Sequence, residues 1–161
     1  MITHVSPIIK PLEPTPLFSR RRWLIVQDWR HQLPDHTICL IPKGTVIDGA
    51  SVPRPFNALV SPTGSLFIPS IIHDFGYQCD YLLVDEDSVI EKRHENAGRK
   101  HWDDLFFTVA EQHGQRSTAY HRMIWATIRM FGGIAWSHCR KPRDESFYQH
   151  QDSPEEPDGD A

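Results

Sequence analysis

Apolar and polar positions change rhythm partway along this chain. Between Trp23 and Ile47 the apolar residues come in short β-branched and aromatic runs: Trp23-Leu24-Ile25-Val26-Gln27-Asp28-Trp29, Thr37-Ile38-Cys39-Leu40-Ile41-Pro42 and Thr45-Val46-Ile47. Turn formers separate them, Leu33-Pro34-Asp35-His36 first and Lys43-Gly44 second. The first two runs are therefore expected to pair as antiparallel strands, with the third following after another turn.

After Asp48 the spacing becomes helical. Pro53 to Val60 predicts a short helix capped by Ser51, with proline in its first turn. Ser70 to about Leu82 predicts a second helix in spite of Gly76. Residues from about Asp87 to His113 predict the longest one, closed by Gly114, with Trp102, Leu105, Phe106 and Val109 as its apolar stripe. A last helix is expected over Thr118 to Trp136, with Gly132-Gly133 as a kink or an end. The fold class that follows is α+β: a small N-terminal antiparallel sheet followed by a cluster of three main helices, in one domain over residues 21–140. Residues 1–20 are proline-rich and aperiodic, which predicts an extended arm. Residues 141–161 lose all apolar periodicity and end in acids and prolines, which predicts a disordered tail.

Length, charge, cysteine usage and hydropathy then narrow this picture. The length of 161 residues is enough for a core without staples. The net charge of −4 is local: residues 141–161 hold seven acids and two bases, leaving 15 bases and 14 acids elsewhere, a balance of +1. No nucleic-acid site is expected, since Arg20-Arg21-Arg22 is the one basic run and reads as a solvated edge. Cys39, Cys79 and Cys139 are odd in number and far apart, which argues against a disulfide framework and for a reducing compartment. No stretch approaches a transmembrane segment or an apolar signal core, so a soluble protein, unexported by the usual signal, is expected.

The candidate chemistry sits in Ile72-His73-Asp74-Phe75-Gly76-Tyr77, flanked by the apolar runs Leu66–Ile72 and Leu82-Leu83-Val84. Burying a His-Asp pair there costs several kcal/mol unless the groups are partnered or bind a metal. Asp103 shares a helix face with Phe106 and Ala110, so an antiparallel packing of the two helices brings it to one ring nitrogen of His73. That carboxylate would fix the tautomer and leave the other nitrogen as a general base for water. Tyr77, one turn below His73, can hydrogen-bond Asp103. Asp74 lies about 100° further round the helix, points elsewhere and is free for a cation. Asp48 of Asp48-Gly49-Ala50-Ser51 could join it, and such oxygen ligands suit calcium or magnesium. The competing reading is a satisfied buried network that fixes helix packing and does no chemistry. His94, His101 and Asp104 suggest a weaker metal cluster against an exposed polar face. Met123, Trp125, Ile128, Met130 and Phe131 fit helix-spaced core, with a membrane or partner surface as the alternative.

Two resemblances bear on the choice. Ile71-Ile72-His73-Asp74-Phe75-Gly76-Tyr77 followed by Arg99 and Asp103-Asp104-Leu105-Phe106 resembles the helix pair of bacterial secreted phospholipase A-2. That resemblance implies His73 as water-activating base, Asp103 as its orienting carboxylate, Asp74 as a calcium ligand and Tyr77 as a support, over residues 70–107. The chain departs from it in showing neither the signal peptide nor the disulfides usual there, and Pro62-Thr63-Gly64-Ser65 is a thin candidate for the Gly-rich calcium loop. More broadly, Ile41-Pro42-Lys43-Gly44, Asp48-Gly49-Ala50-Ser51-Val52-Pro53-Arg54, the His73-Asp74 helix, Asp103 and Phe131-Gly132-Gly133-Ile134-Ala135-Trp136 resemble an uncharacterised domain-of-unknown-function family of tailed-phage and prophage proteins. The function expected is a phage or prophage hydrolase acting on an ester or phosphoester, lipid-like or otherwise, with calcium or magnesium and no organic cofactor. The alternative is a non-enzymatic phage structural or host-modulating protein with a phage or host protein as partner.

Overall fold

The computed structural model describes residues 6–12, 22–47, 66–86, 89–114 and 116–139. The expected helix over Pro53–Val60, its cap Ser51, the candidate ligand Asp48 and the acidic tail lie outside the described residues. An α+β architecture results, with N-terminal antiparallel sheet structure followed by three helices.

The strands divide into two sheets. β1 (Ile9–Pro11), β2 (Trp23–Ile25) and β5 (Val46–Ile47) form one, in the order β1-β2-β5 with β2 central. β3 (Trp29–Gln32), β4 (Ile38–Ile41), β6 (Leu82–Glu86) and β7 (Val89–Arg93) form the other, in the order β3-β4-β6-β7. The run Trp23–Trp29 is thus not one strand. It breaks at Val26-Gln27-Asp28, where Asp28 Oδ1 accepts the Lys43 amide at 2.8 Å and Val26 donates to the Ile8 carbonyl at 3.1 Å. Its first part therefore turns to β1 and β5, while Trp29 starts the hairpin with β4, in the register Trp29↔Ile41 and His31↔Cys39. Part of the N-terminal stretch read as an arm is thereby paired, as an edge strand.

The helices are α1 (Phe67–Cys79), α2 (Arg99–His113) and α3 (Thr118–Cys139). α1 buries every residue from Pro69 to Tyr77 and packs against α2, α3, β5 and β6, so it is the central element. Burial of Ile71, Ile72 and Phe75 contributes on the order of 1.5–3 kcal/mol each. α1 ends where Asp80 takes a left-handed conformation with φ 55° and its amide returns to Gly76 O. The Asp80 side chain then accepts the Gly98 amide at 3.0 Å and Trp102 Nε1 at 2.8 Å, tying the end of α1 to the start of α2.

α2 is shorter than its sequence suggests. Residues 89–93 pair with β6 as an exposed edge strand, Leu83 opposite Lys92 and Val84 opposite Glu91. Left-handed backbone at His94 and Asn96 turns the chain before the helix begins. Sheet pairing across the hairpin overrides the helical propensity of Glu91-Lys92-Arg93. α3 runs as one helix through Gly132-Gly133, which do not end it.

Gly76 sets the spacing of α1 and α2. A methyl group there would collide with the Trp102 ring, whose atoms are fully buried and hydrogen-bonded through Nε1. Gly76→Ala is expected to destabilise the fold by about 1–3 kcal/mol through overpacking, exceeding the ~1 kcal/mol that alanine gains in helix propensity. Urea denaturation reads this directly, and a midpoint at or above that of the parent chain refutes the close packing.

Candidate functional site

The three helices meet at Asp103. Contacts run 73 to 103, 73 to 106 and 76 to 102 between α1 and α2, so the two are antiparallel. Between α2 and α3 they run 103 to 129, 104 to 125 and 111 to 121, again antiparallel. This geometry carries Asp103 into the middle of the bundle, where its side chain is 0% exposed.

Each helix supplies a partner. Asp103 Oδ1 accepts His73 Nε2 at 2.9 Å and the Tyr77 hydroxyl at 2.5 Å, both from α1. Its Oδ2 accepts Arg129 Nη1 from α3 at 2.7 Å. Burial by itself would push the Asp103 carboxyl up, but the hydrogen bonds from His73, Tyr77 and Arg129 outweigh it and hold the group below its ordinary range. An ionised Asp103 can only accept, so the neutral His73 ring carries its proton on Nε2 and presents the Nδ1 lone pair away from Asp103. Burial and the bond to Asp103 push the Tyr77 hydroxyl up, so it stays a donor.

The ring is held from several sides. Tyr77 lies against it with centroids 4.0 Å apart, and Phe106 meets it edge-on at 5.7 Å. On the Nδ1 side stands Asp74, whose Oδ1 is 3.8 Å from Nδ1. Sequence reasoning turned Asp74 away from this ring. The structure instead buries it beside Nδ1, and its Oδ2 has no hydrogen-bond partner. Burial alone would lower the His73 pKa, but Asp103 and Asp74 together reverse that, and it lies above 6.5.

Gly132 lets α3 close over this arrangement: a Cβ there would lie 2.6 Å from the Tyr77 hydroxyl and 3.6 Å from Arg99 Nη1. Arg99 in turn donates to the Arg129 carbonyl at 3.0 Å. Arg129 escaped the sequence reading, and Gly132 entered it only as a kink or end of the last helix and within a family motif, with no part in the site. The one signal for Arg129 was a lone base in the apolar stretch Ile128-Arg129-Met130-Phe131.

The other metal candidates are brought together only in part. His94 lies outside α2, and its ring meets that of His101 at a tilt, with centroids 4.5 Å apart. Asp104 is engaged instead with Lys100 and with Trp125 Nε1. Among the described residues no group of three His, Cys, Asp or Glu is arranged to hold a metal ion. Asp74, with one orphaned carboxylate oxygen, is the described residue whose chemistry fits a hard cation. Cys39 is buried and its thiol is pushed up to about 12, which removes it as a nucleophile. No helix among the described residues is long and apolar enough to cross a membrane.

A family model described as "Protein of unknown function (DUF1353)" matches residues 23–128, which include all three partners of His73 (Tyr77, Asp103 and Asp74) but not Arg129. Neither a curated protein nor a solved structure matches the chain.

Proposed function

The chain belongs to the family described as protein of unknown function DUF1353, and on that premise we propose that it is a hydrolase of phage or prophage origin in which His73 activates water. The observation that carries this reading is the Asp103–His73 bond at 2.9 Å, which orients the ring so that Nδ1, beside Asp74, is the basic nitrogen. Tyr77 and Arg129 hold the orienting carboxylate from the other side. Such a dyad takes a proton from water as the water attacks an ester or phosphoester. The resemblance of the His73-Asp74 helix pair to phospholipase A-2 supports an ester of lipid type. The resemblance to tailed-phage proteins supports the viral origin and action in the host cytoplasm or on the virion.

Calcium or magnesium held by Asp74, with Asp48 as a second ligand, would polarise the scissile group and stabilise the developing oxyanion. The buried Asp74 Oδ2 without a partner is what fits such an ion.

The competing reading, a non-enzymatic structural or host-modulating protein, draws on one observation. Asp103 is fully buried and bonded to two other helices, as a network that only fixes packing would be.

Turnover of short-chain phospholipids, aryl esters and phosphodiesters, with calcium or magnesium and then with EDTA, separates the two. Cation-dependent hydrolysis of one class is expected; no turnover of any class overturns the enzyme. Histidine NMR adds a check that needs no substrate. In EDTA the His73 ring is expected to titrate above 6.5, because Asp103 and Asp74 favour its charged form. The stabilisation from that charge is then complete below 6.5 and is lost as pH rises through the folded value. A cation on Asp74 should move this titration down. An unchanged titration removes Asp74 from the ion's ligands.

A further inference from the structure

The turn between β7 and α2 brings two imidazoles together. Within it His94 and Asn96 take left-handed backbone, at φ 59° and 55°. The turn is fastened to the end of α1, where the Asn96 amide donates to the Asp80 carbonyl at 2.8 Å and the Gly98 amide to Asp80 Oδ1 at 3.0 Å. Left-handed backbone is uncommon for a side-chain-bearing residue, and those two bonds offset its cost. The His94 ring is thereby carried to His101 in the first turn of α2, with centroids 4.5 Å apart and planes at 32°.

Both rings stand against Trp102, which meets His101 edge-on at 4.8 Å and His94 at 6.5 Å. Trp102 is fully buried and held by Asp80 through Nε1 at 2.8 Å. His101 Nε2 is shielded from water and makes no hydrogen bond, and the His94 ring has no hydrogen-bond partner among the described residues. A shielded ring nitrogen has lost its hydration without compensation, which a ligand on that nitrogen restores. Burial first, and His94 second, hold the His101 pKa below 6.5, so at neutral pH the ring is uncharged and has a lone pair to give.

We propose that His94 and His101 bind a divalent transition-metal ion of the nickel and copper class, the two imidazoles taking adjacent positions and water the rest. The ring separation decides the class. Two imidazoles about 2.0–2.1 Å from one metal and about 90° apart place their ring centres roughly 4.5 Å from each other, and a tetrahedral angle spreads them to about 5.2 Å. The observed 4.5 Å is the right-angled case, which tetragonal nickel and copper favour over zinc. Calcium and magnesium prefer oxygen, so this ion differs from the one that suits Asp74. The buried Asp80 carboxylate adds a negative field at His101 that favours a cation. Asp103 lies about 200° round α2 from His101, so the pair stands apart from the His73 chemistry.

Isothermal titration of the full chain with nickel chloride tests this. One ion per chain is expected, with His94→Asn and His101→Gln each lowering affinity roughly tenfold or more. Asparagine tolerates the left-handed backbone at the exposed position 94, so that variant decides the test even if His101→Gln unfolds. His36→Asn, at another exposed left-handed histidine, is expected to bind as the parent does. So is His73→Gln, whether or not the parent turns over any substrate, and the two readings fail separately. Zinc chloride is expected to bind more weakly than nickel. The site is overturned if nickel does not bind, if His94→Asn binds as tightly as the parent, or if zinc binds more tightly than nickel.

Discussion

Replacing Asp103 by Ala is expected to lose on the order of 3–5 kcal/mol of folding stability near neutral pH. The loss exceeds that of an ordinary hydrogen bond because three donors are stranded together. His73 Nε2, the Tyr77 hydroxyl and Arg129 Nη1 all end on this one carboxylate. His73 and Tyr77 are buried, so water does not readily replace the lost acceptor. Asp103→Asn keeps the shape but must turn an amide N–H toward one of those donors, so it too is destabilising. The pH dependence has a definite sign. Asp103 sits below its ordinary 3.8 when folded, so its stabilisation is present above that value and disappears as pH falls through the folded value. The gap between parent and Asp103→Ala in urea melts should therefore close toward acid. A variant as stable as the parent at neutral pH would show that the three helices are not held here.

His73→Gln is the second large effect, and it acts on chemistry more than on stability. The glutamine amide nitrogen reaches the position of Nε2 and can still donate to Asp103, while nothing replaces the proton acceptor at Nδ1. Once a hydrolysed substrate is in hand, the rate is expected to fall about 10²–10⁴-fold. Stability should stay within about 1 kcal/mol of the parent, because the buried bond is retained. A full rate in this variant would place the base elsewhere.

The helical half of the fold was legible because its signal is periodic and repeats many times. The stripe Trp102, Leu105, Phe106 and Val109 marks the inward face of α2 whatever packs on it, with Leu105 half-buried and the other three buried. The strands were legible as composition but not as partners. Nothing within Trp23–Trp29 states that Ile25 belongs opposite Ile9 and Trp29 opposite Ile41, because pairing is a relation between distant segments. β7 was the harder case: Val89–Arg93 is exposed along its length and ends in Glu91-Lys92-Arg93, and it becomes a strand through what β6 offers it. The outward residues of α3 misled for a related reason. Apolar spacing shows that a side chain favours burial, and Met123, Met130 and Phe131 of the expected core positions are exposed among the described residues.

For the site, residue types and helical spacing alone determined that His73, Tyr77 and Asp103 could converge if two helices ran antiparallel. Spacing along one helix is fixed by its 3.6-residue turn, so such statements need no tertiary knowledge. Which groups surround that convergence was decided only by packing. Arg129 arrives from a helix 26 residues away, Gly132 admits the Tyr77 hydroxyl, and Asp74 folds back to 3.8 Å from the Nδ1 that sequence reasoning had left open. Those are distances across elements, set by how close two backbones can approach, and a linear chain does not encode them one residue at a time.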